Sequence, residues 1–261
     1  MPALRADPPR VFITGASSGI GAALARAYAA RGATLGLAAR RGDLLDALAG
    51  ELPVPCHCYP LDVADGEALA AAAAHFRAHA GCPDVVIANA GISVGTLTGE
   101  PGDLAVFGRI MAVNVTGIAH TFAPFLPAMT ALGRGTLVGV ASVAGIRGIP
   151  GAGAYSASKA AAIAYLESLR VELRRTGVSV VTLAPGYIDT PMTRRNPYRM
   201  PFLLPADEAA RRMLRVIERG AAFAVVPWQM GVVGRVLRLL PIPVFDRLFA
   251  RAGRKPRGVG L

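Results

Sequence analysis

The sequence predicts an α/β protein built as a doubly wound parallel sheet with helices on both faces. Short apolar runs alternate with helical stretches along most of the chain, which is the signature of βαβ units. Runs such as Leu35–Ala39 and Val85–Ala88 are almost continuously apolar, as expected of strands buried on both sides. Gly15, Arg40, Asp62, Asn89, Ser142 and Pro185 all fall just past such runs. They therefore belong at the carboxyl edge of the sheet, where open α/β sheets bind ligands.

Each element follows from local sequence. Val11-Phe12-Ile13 is a strand that runs into Thr14-Gly15-Ala16-Ser17-Ser18-Gly19-Ile20-Gly21, and a helix spans Ala22 to Ala30, ended by Gly32. A glycine turn between strand and helix lets backbone approach a pyrophosphate, and the helix start offers unpaired N–H groups. A plain glycine-rich turn is the other reading of that stretch. Thr34 to Ala39 is the next strand, followed by Arg40-Arg41 and a helix over Asp43–Ala49. An acid at that point would bind a ribose 2′-hydroxyl, whereas arginine accepts a 2′-phosphate, so the pair predicts NADP(H) rather than NAD(H). Val54 to Tyr59 is a strand leading to Asp62-Val63, with a helix over Gly66–His79. Val85–Ala88 ends in Asn89-Ala90-Gly91. A helical stretch from Asp103 to Leu132 holds Asn114, and Pro124 and Pro127 must kink or break it. Strand Thr136–Ala141 delivers Ser142, and helix Ala154–Arg175 carries Tyr155 and Lys159. Strand Val178–Ala184 ends in Pro185-Gly186, and helix Ala206–Arg219 with strand Phe223–Val226 closes the alternation.

Tyr155 and Lys159 are spaced to share one face of a helix, one turn apart. An ammonium near a phenol favours the phenolate and so would lower the tyrosine pKa toward that of a general acid/base. An ordinary surface pair has the same spacing. The chain has 28 lysines and arginines, yet lysine occurs only at Lys159 and Lys255. In so arginine-rich a sequence, lysine at this position points to a compact ammonium with a proton to share.

Composition sets the outer bounds. A chain of 261 residues with 53% hydrophobic content fits one α/β domain. Met1–Arg10 has no apolar core of a secretory signal, and no run of eighteen uncharged apolar residues forecasts a membrane span. Cys56, Cys58 and Cys82 fit a reducing, cytoplasmic setting, and no second ligand pair follows them at finger-like spacing; His75 and His79, four apart, could hold a metal on a helix, but no HExxH or carboxylate motif accompanies them, so no metal is expected. A net charge of +11 permits anionic partners, but no nucleic-acid-binding motif accompanies it, so nucleic acid is not expected.

Taken together, these residues resemble the short-chain dehydrogenase/reductase family, over roughly residues 8 to 226. The resemblance implies a Rossmann-type fold and hydride transfer between a nicotinamide and a carbonyl or secondary alcohol. It places cofactor contacts at Thr14, Gly15, Ser17, Ser18, Gly19, Ile20 and Gly21, at Arg40 and Arg41, and at Asp62 with Val63, where the acid lies by the adenine. Further contacts fall on Asn89-Ala90-Gly91, Pro185-Gly186, Ile188 and Thr190, with Thr190 on the carboxamide. It implies a catalytic set of Asn114, Ser142, Tyr155 and Lys159. Tyr155 would donate the proton and Ser142 would hold the carbonyl oxygen. Lys159 would lower the tyrosine pKa and bind the nicotinamide ribose, and Asn114 would fix a water. Many NADP-using relatives have a basic residue just before the second glycine; here it is Ser18, so the cofactor preference rests on Arg40 and Arg41. A homodimer or homotetramer is also implied. An NADP-binding regulatory protein or membrane-surface protein without turnover is the alternative, but such regulators typically lose the tyrosine or lysine.

The expected organisation is a catalytic domain over 1–226, with a substrate loop at 191–205, and an extension over 227–261. Met192, Met200, Phe202, Leu203 and Leu204 make the loop apolar, which favours a lipophilic substrate. In the extension, Trp228, Val232, Val236, Leu240, Phe245 and Phe249 are interleaved with Arg235, Arg238, Arg247 and Arg251. Short amphipathic helices of this kind suit the inner membrane surface through 228–251, or packing on the protein's own domain or another subunit.

Overall fold

A computed structural model describes residues 8–257. In chain order the strands are β1 (Arg10–Thr14), β2 (Thr34–Ala39), β3 (Cys56–Pro60), β4 (Val85–Ala88), β5 (Gly135–Val140), β6 (Val178–Pro185), β7 (Ile188–Asp189), β8 (Leu204–Pro205) and β9 (Phe223–Val226). Seven of them form one parallel sheet in the order β3-β2-β1-β4-β5-β6-β9. The helices are α1 (Gly19–Ala29), α2 (Gly42–Glu51), α3 (Gly66–Ala80), α4 (Asp103–Met111), α5 (Gly117–Phe122), α6 (Leu126–Ala131), α7 (Gly153–Glu172), α8 (Ala206–Glu218), α9 (Trp228–Leu239) and α10 (Ile242–Phe249). This is the doubly wound architecture the alternation predicts.

Side chains alternate across each strand, so β1 feeds two cores. Val11 and Ile13 join Leu35, Leu37, Leu24, Leu45 and Met213 on the face covered by α1, α2 and α8. Phe12 points the other way, into a core with Phe76, Phe122, Phe125, Leu166 and Leu169. Its ring lies 4.9 Å from Phe125 and 5.6 Å from Phe76, centroid to centroid. Gly36 is paired with Phe12 across β1 and β2. A Cβ at Gly36 would stand 2.5 Å from the Phe12 ring and 2.9 Å from that of Phe76, so the bare backbone makes room for both.

The predicted helical stretch over 103–132 is divided. A π-helical turn, Ala112–Thr116, joins α4 to α5, and the chain breaks between Phe122 and Leu126, where Pro124 lies. Pro127 sits in the first turn of α6, where its missing N–H removes no intrahelical bond. The continuous helical run Asp103–Phe122 is long and apolar enough to cross a membrane by length and composition. Here it packs on α3, α7 and β4.

Two features bring the later chain onto the sheet's carboxyl edge. The parallel pairs Ile188↔Leu204 and Asp189↔Pro205 pin both ends of the loop over 191–203. The extension packs on its own domain through its inner side. Met230 seats on Gly186, where a Cβ would be 2.6 Å from its Cγ, and Gly234 lies against Ile146 at the same distance. Arg147 ties the extension to the segment after Ser142. Its guanidinium donates to the carbonyls of Leu237, Arg238 and Leu240 at the end of α9, at 2.8 Å for Leu240, and stacks 4.0 Å over Phe245 of α10. Trp228, Val236, Leu239, Ile242 and Leu248 of the two helices stay exposed.

Candidate active site

The carboxyl ends of β1, β2, β4, β5 and β6 frame a cleft of about 330 Å³. At its centre is the glycine turn. Gly15 has φ +68, and a Cβ there would lie 2.7 Å from the Ala90 Cα. At Gly21 a Cβ would be 2.2 Å from the Gly15 carbonyl oxygen, so backbone crosses backbone without a side chain between. Thr14 and Asn89 brace this turn. The Asn89 amide donates to the carbonyls of Thr14 (3.0 Å) and Gly15 (3.2 Å). The Thr14 hydroxyl accepts from the N–H groups of Asn89 (3.2 Å) and Ala90 (3.3 Å). Thr14 and Gly21 thus sit one layer behind the wall, while Gly15, Ser17, Ser18, Gly19, Ile20, Asn89, Ala90 and Gly91 line it.

Helix α1 begins at this wall with no side-chain cap and no acid in its first turn. Its leading N–H groups and the positive end of its dipole are available to an anion. A glycine-lined wall and an uncapped helix start fit the pyrophosphate of a dinucleotide.

Arg40 and Arg41 stand exposed at one end of the cleft, with Asp62 and Val63 beside them. Arg41 reaches back to the glycine turn, donating to Ser17 Oγ (3.0 Å) and Ser18 Oγ (2.9 Å). Asp62 accepts from the Ala64 N–H (2.9 Å) and pairs with Arg109 of α4. Burial pushes the Asp62 carboxyl up, but those hydrogen bonds and the charges of Arg109 and Arg40 outweigh it and hold it below its usual range. Arg109 is a residue that sequence reasoning missed. It comes from a distant helix, and nothing in its local sequence signals the pairing.

The other end of the cleft gathers Ser142, Tyr155, Lys159, Pro185, Gly186, Ile188 and Thr190, with Met192 from the loop. Ser142 is extended and caps the short 3₁₀ turn Val143–Gly145, its Oγ accepting from the Ala144 N–H at 3.1 Å. The Ser142 hydroxyl donates to the Pro185 carbonyl at 3.5 Å and lies beside the Tyr155 phenol, whose pKa it works to lower. Lys159 is buried, and its Nζ donates to the Val140 carbonyl at 2.8 Å. Asn114 is fully buried in the π-helical turn, with its amide nitrogen donating to Ser158 Oγ (3.0 Å) and the Ile92 carbonyl (3.0 Å) and its oxygen accepting from the Ile92 N–H (2.9 Å). It meets the cleft through Ile92 and through Gly91, where a Cβ would lie 3.3 Å from Asn114 Oδ1 and 3.5 Å from Lys159 Nζ. The structure thus brings the four sequence-predicted catalytic residues to one place, with Asn114 behind the other three.

One expectation is corrected. Lys159 does not pull the Tyr155 phenol down. Its ammonium is turned to the Val140 carbonyl, 5.9 Å from the ring centroid. Burial therefore dominates and raises the Tyr155 pKa, with the Ser142 hydrogen bond opposing it. The same burial lowers Lys159 to about 8. The arrangement holds a protonated phenol next to a hydroxyl and an ammonium at neutral pH, which is the equipment for giving a proton to an oxygen.

This fold and cleft define a nucleotide-binding oxidoreductase. The model of the short chain dehydrogenase family matches residues 9–199, and the chain belongs to that family. It is 42% identical to an uncharacterized oxidoreductase of Myxococcus xanthus, over 90% of this chain and 94% of that one. It is 38% identical to a sulfoacetaldehyde reductase of Chromohalobacter salexigens, over 70% and 74% of the two chains. Among solved structures, a Burkholderia cenocepacia short chain dehydrogenase in complex with NADP superposes with a TM-score of 0.81 at 28% identity, covering 94% and 99%. The family binds a nicotinamide cofactor.

The Lys159 shift has a measurable consequence. Between about pH 8 and its ordinary value of 10.5, the folded chain has released a proton that the unfolded chain still holds. Stability contributed by this group therefore rises with pH across that window, because the penalty of burying the charge is removed. Urea midpoints from pH 7 to 10 should show wild type gaining on Lys159→Met by up to about 3 kcal/mol. Parallel curves would contradict the burial of a charged Lys159.

Proposed function

We propose that this chain is an NADP(H)-dependent oxidoreductase that moves hydride between the nicotinamide and a carbonyl or secondary alcohol. The observation that carries the reading is the placement of a half-buried phenol beside Ser142 and Lys159, lining the same cleft as Arg40 and Arg41. The bound nicotinamide supplies the hydride; this chain orients the partners and handles the proton. Tyr155 gives its proton to the carbonyl oxygen, and Ser142 fixes that oxygen. Lys159 holds the nicotinamide ribose, and Asn114 keeps Lys159 and the Ile92 backbone in register through Ser158 and Gly91. Thr190, at the cleft wall, holds the carboxamide. The similarity to a protein named as a reductase supports the reducing direction.

Arg41 already spans the mouth to Ser17 and Ser18, which supports a 2′-phosphate seat there. Asp62, paired with Arg109, sits at the adenine side. The apolar loop, with Met192 in the cleft and Phe202 and Leu203 half exposed at its rim, supports a substrate with an apolar body. The exposed apolar residues of α9 and α10, with Arg235, Arg238, Arg247 and Arg251, are the surface we assign to peripheral contact with an anionic membrane.

Three measurements follow. Tyr155→Phe should lower kcat by about a hundredfold or more while NADPH still binds; undiminished turnover would remove Tyr155 from the reaction. Arg40→Asp with Arg41→Ala should weaken NADPH by roughly ten- to a hundredfold, the worth of a lost charge-assisted contact, and leave NADH nearly unchanged. Equal losses would refute the phosphate seat. On liposomes with anionic lipid, wild type should float and Leu239→Asp with Leu248→Asp should not; equal flotation of the two would refute the assigned surface.

A further inference from the structure

The last described residues do not trail into solvent. After α10 the chain turns, with the Ala252 N–H on the Phe249 carbonyl at 3.0 Å, and runs back against the 191–203 loop and the turn at Gly151. Gly253 lies on Tyr198 of the 191–203 loop, where a Cβ would be 3.2 Å from the Tyr198 Cβ, and Arg254 covers Gly151, 2.8 Å from a Cβ there. The Lys255 carbonyl oxygen would stand 2.3 Å from a Cβ at Gly95, and the Gly95 N–H donates to the Pro256 carbonyl at 2.9 Å. Arg257 locks the end, paired with Asp103 (2.9 Å) and Glu100 (3.0 Å). Three separate segments of the rim thus hold this strap in one register.

The strap delivers Lys255 to the Tyr155 ring. Its Nζ donates to Ser93 Oγ and lies 4.8 Å from the centroid of the Tyr155 ring. Lys255 is therefore nearer that ring than Lys159 is. The contrast with its neighbour two residues on is informative. Arg257 is neutralised by two carboxylates, whereas Lys255 has no acidic partner among the described residues, only a neutral hydroxyl and an aromatic face. Burial lowers its pKa to about 8, which leaves it charged at neutral pH. A partly desolvated ammonium without a counter-charge is costly, and an anion brought beside it relieves that cost.

We propose that Lys255 is a specificity-determining residue that binds an anionic group of the substrate, a carboxylate or its equivalent, while the carbonyl a few bonds away meets Tyr155. The strap over 252–257 is then the wall that completes the substrate site. This rests on Tyr155 being the proton donor to the carbonyl. With the apolar loop beside the strap, the substrate class is a carbonyl compound with an apolar body and an acidic end.

The test uses the full chain and a panel of aldehydes of two to six carbons ending in a carboxylate, each beside its methyl ester, followed by loss of NADPH absorbance. Wild type should prefer at least one acid over its ester by tenfold or more in kcat/KM. Lys255→Met should lose that preference at least tenfold without weakening NADPH, and Lys255→Arg should keep most of it. Esters equal to acids throughout the panel, or a preference that survives Lys255→Met, would overturn the proposal. A separate readout protects it from failure of the catalytic reading. Succinate and glutarate titrated by calorimetry into the NADP⁺-loaded protein should bind wild type and Tyr155→Phe alike and Lys255→Met at least tenfold more weakly. If no aldehyde is reduced but that difference appears, the anion site stands and the assigned reaction falls; if binding is equal in all three, the anion site falls.

Discussion

The hydrogen bonds that tie the end of β4 to the end of β1 are the constraint on which the cleft depends. At this point the winding of the sheet reverses, and the crossovers diverge to leave a crevice. Thr14 and Asn89 close the floor of that crevice with four bonds, and in doing so they fix the glycine turn, the start of α1 and the path of Ala90 and Gly91. Everything upstream faces a nucleotide-shaped wall. Beyond it, Gly91, Asn114 and Lys159 meet at the reactive end. One side-chain amide thus sets the distance between binding and chemistry.

Desolvation, more than pairwise charge, governs the reactive end. Tyr155, Lys159 and Lys255 are all displaced toward their neutral forms by burial. The outcome is a phenol that stays protonated and two ammoniums that hold their charge less firmly than usual. In a site of this kind a hydrogen bond from Ser142 counts for more than it would in water. It is also why spacing along a helix gave the wrong sign for the tyrosine: the lysine is near, but its ammonium is committed to the Val140 carbonyl.

The sheet, its order of elements and the grouping of Ser142, Tyr155 and Lys159 were legible from the chain because they are written locally. Two-residue alternation fixes which face a strand residue takes, and glycine and proline punctuate the elements. Three things were not legible. The Asp62–Arg109 pair joins a loop to a helix that local pattern cannot bring together. The π-helical turn around Asn114 has no propensity signature, since its residues would be equally content in an α-helix. The return of the strap is decided by Gly95, Gly151 and Arg257 meeting partners from separate loops. The rarity of lysine was visible from the start, but what it meant at position 255 required the fold.

That rarity has a chemical corollary. The lysine side chains at 159 and 255, the only two in the chain, lie 5.9 and 4.8 Å from the centre of a single tyrosine ring, and burial lowers both to about 8. An acylating reagent with a taste for unprotonated amines has no decoy lysines on the surface to consume it. Labelling, crosslinking or immobilisation chemistry aimed at lysine side chains therefore converges on the surroundings of one tyrosine, with the chain's α-amine as the competing amine.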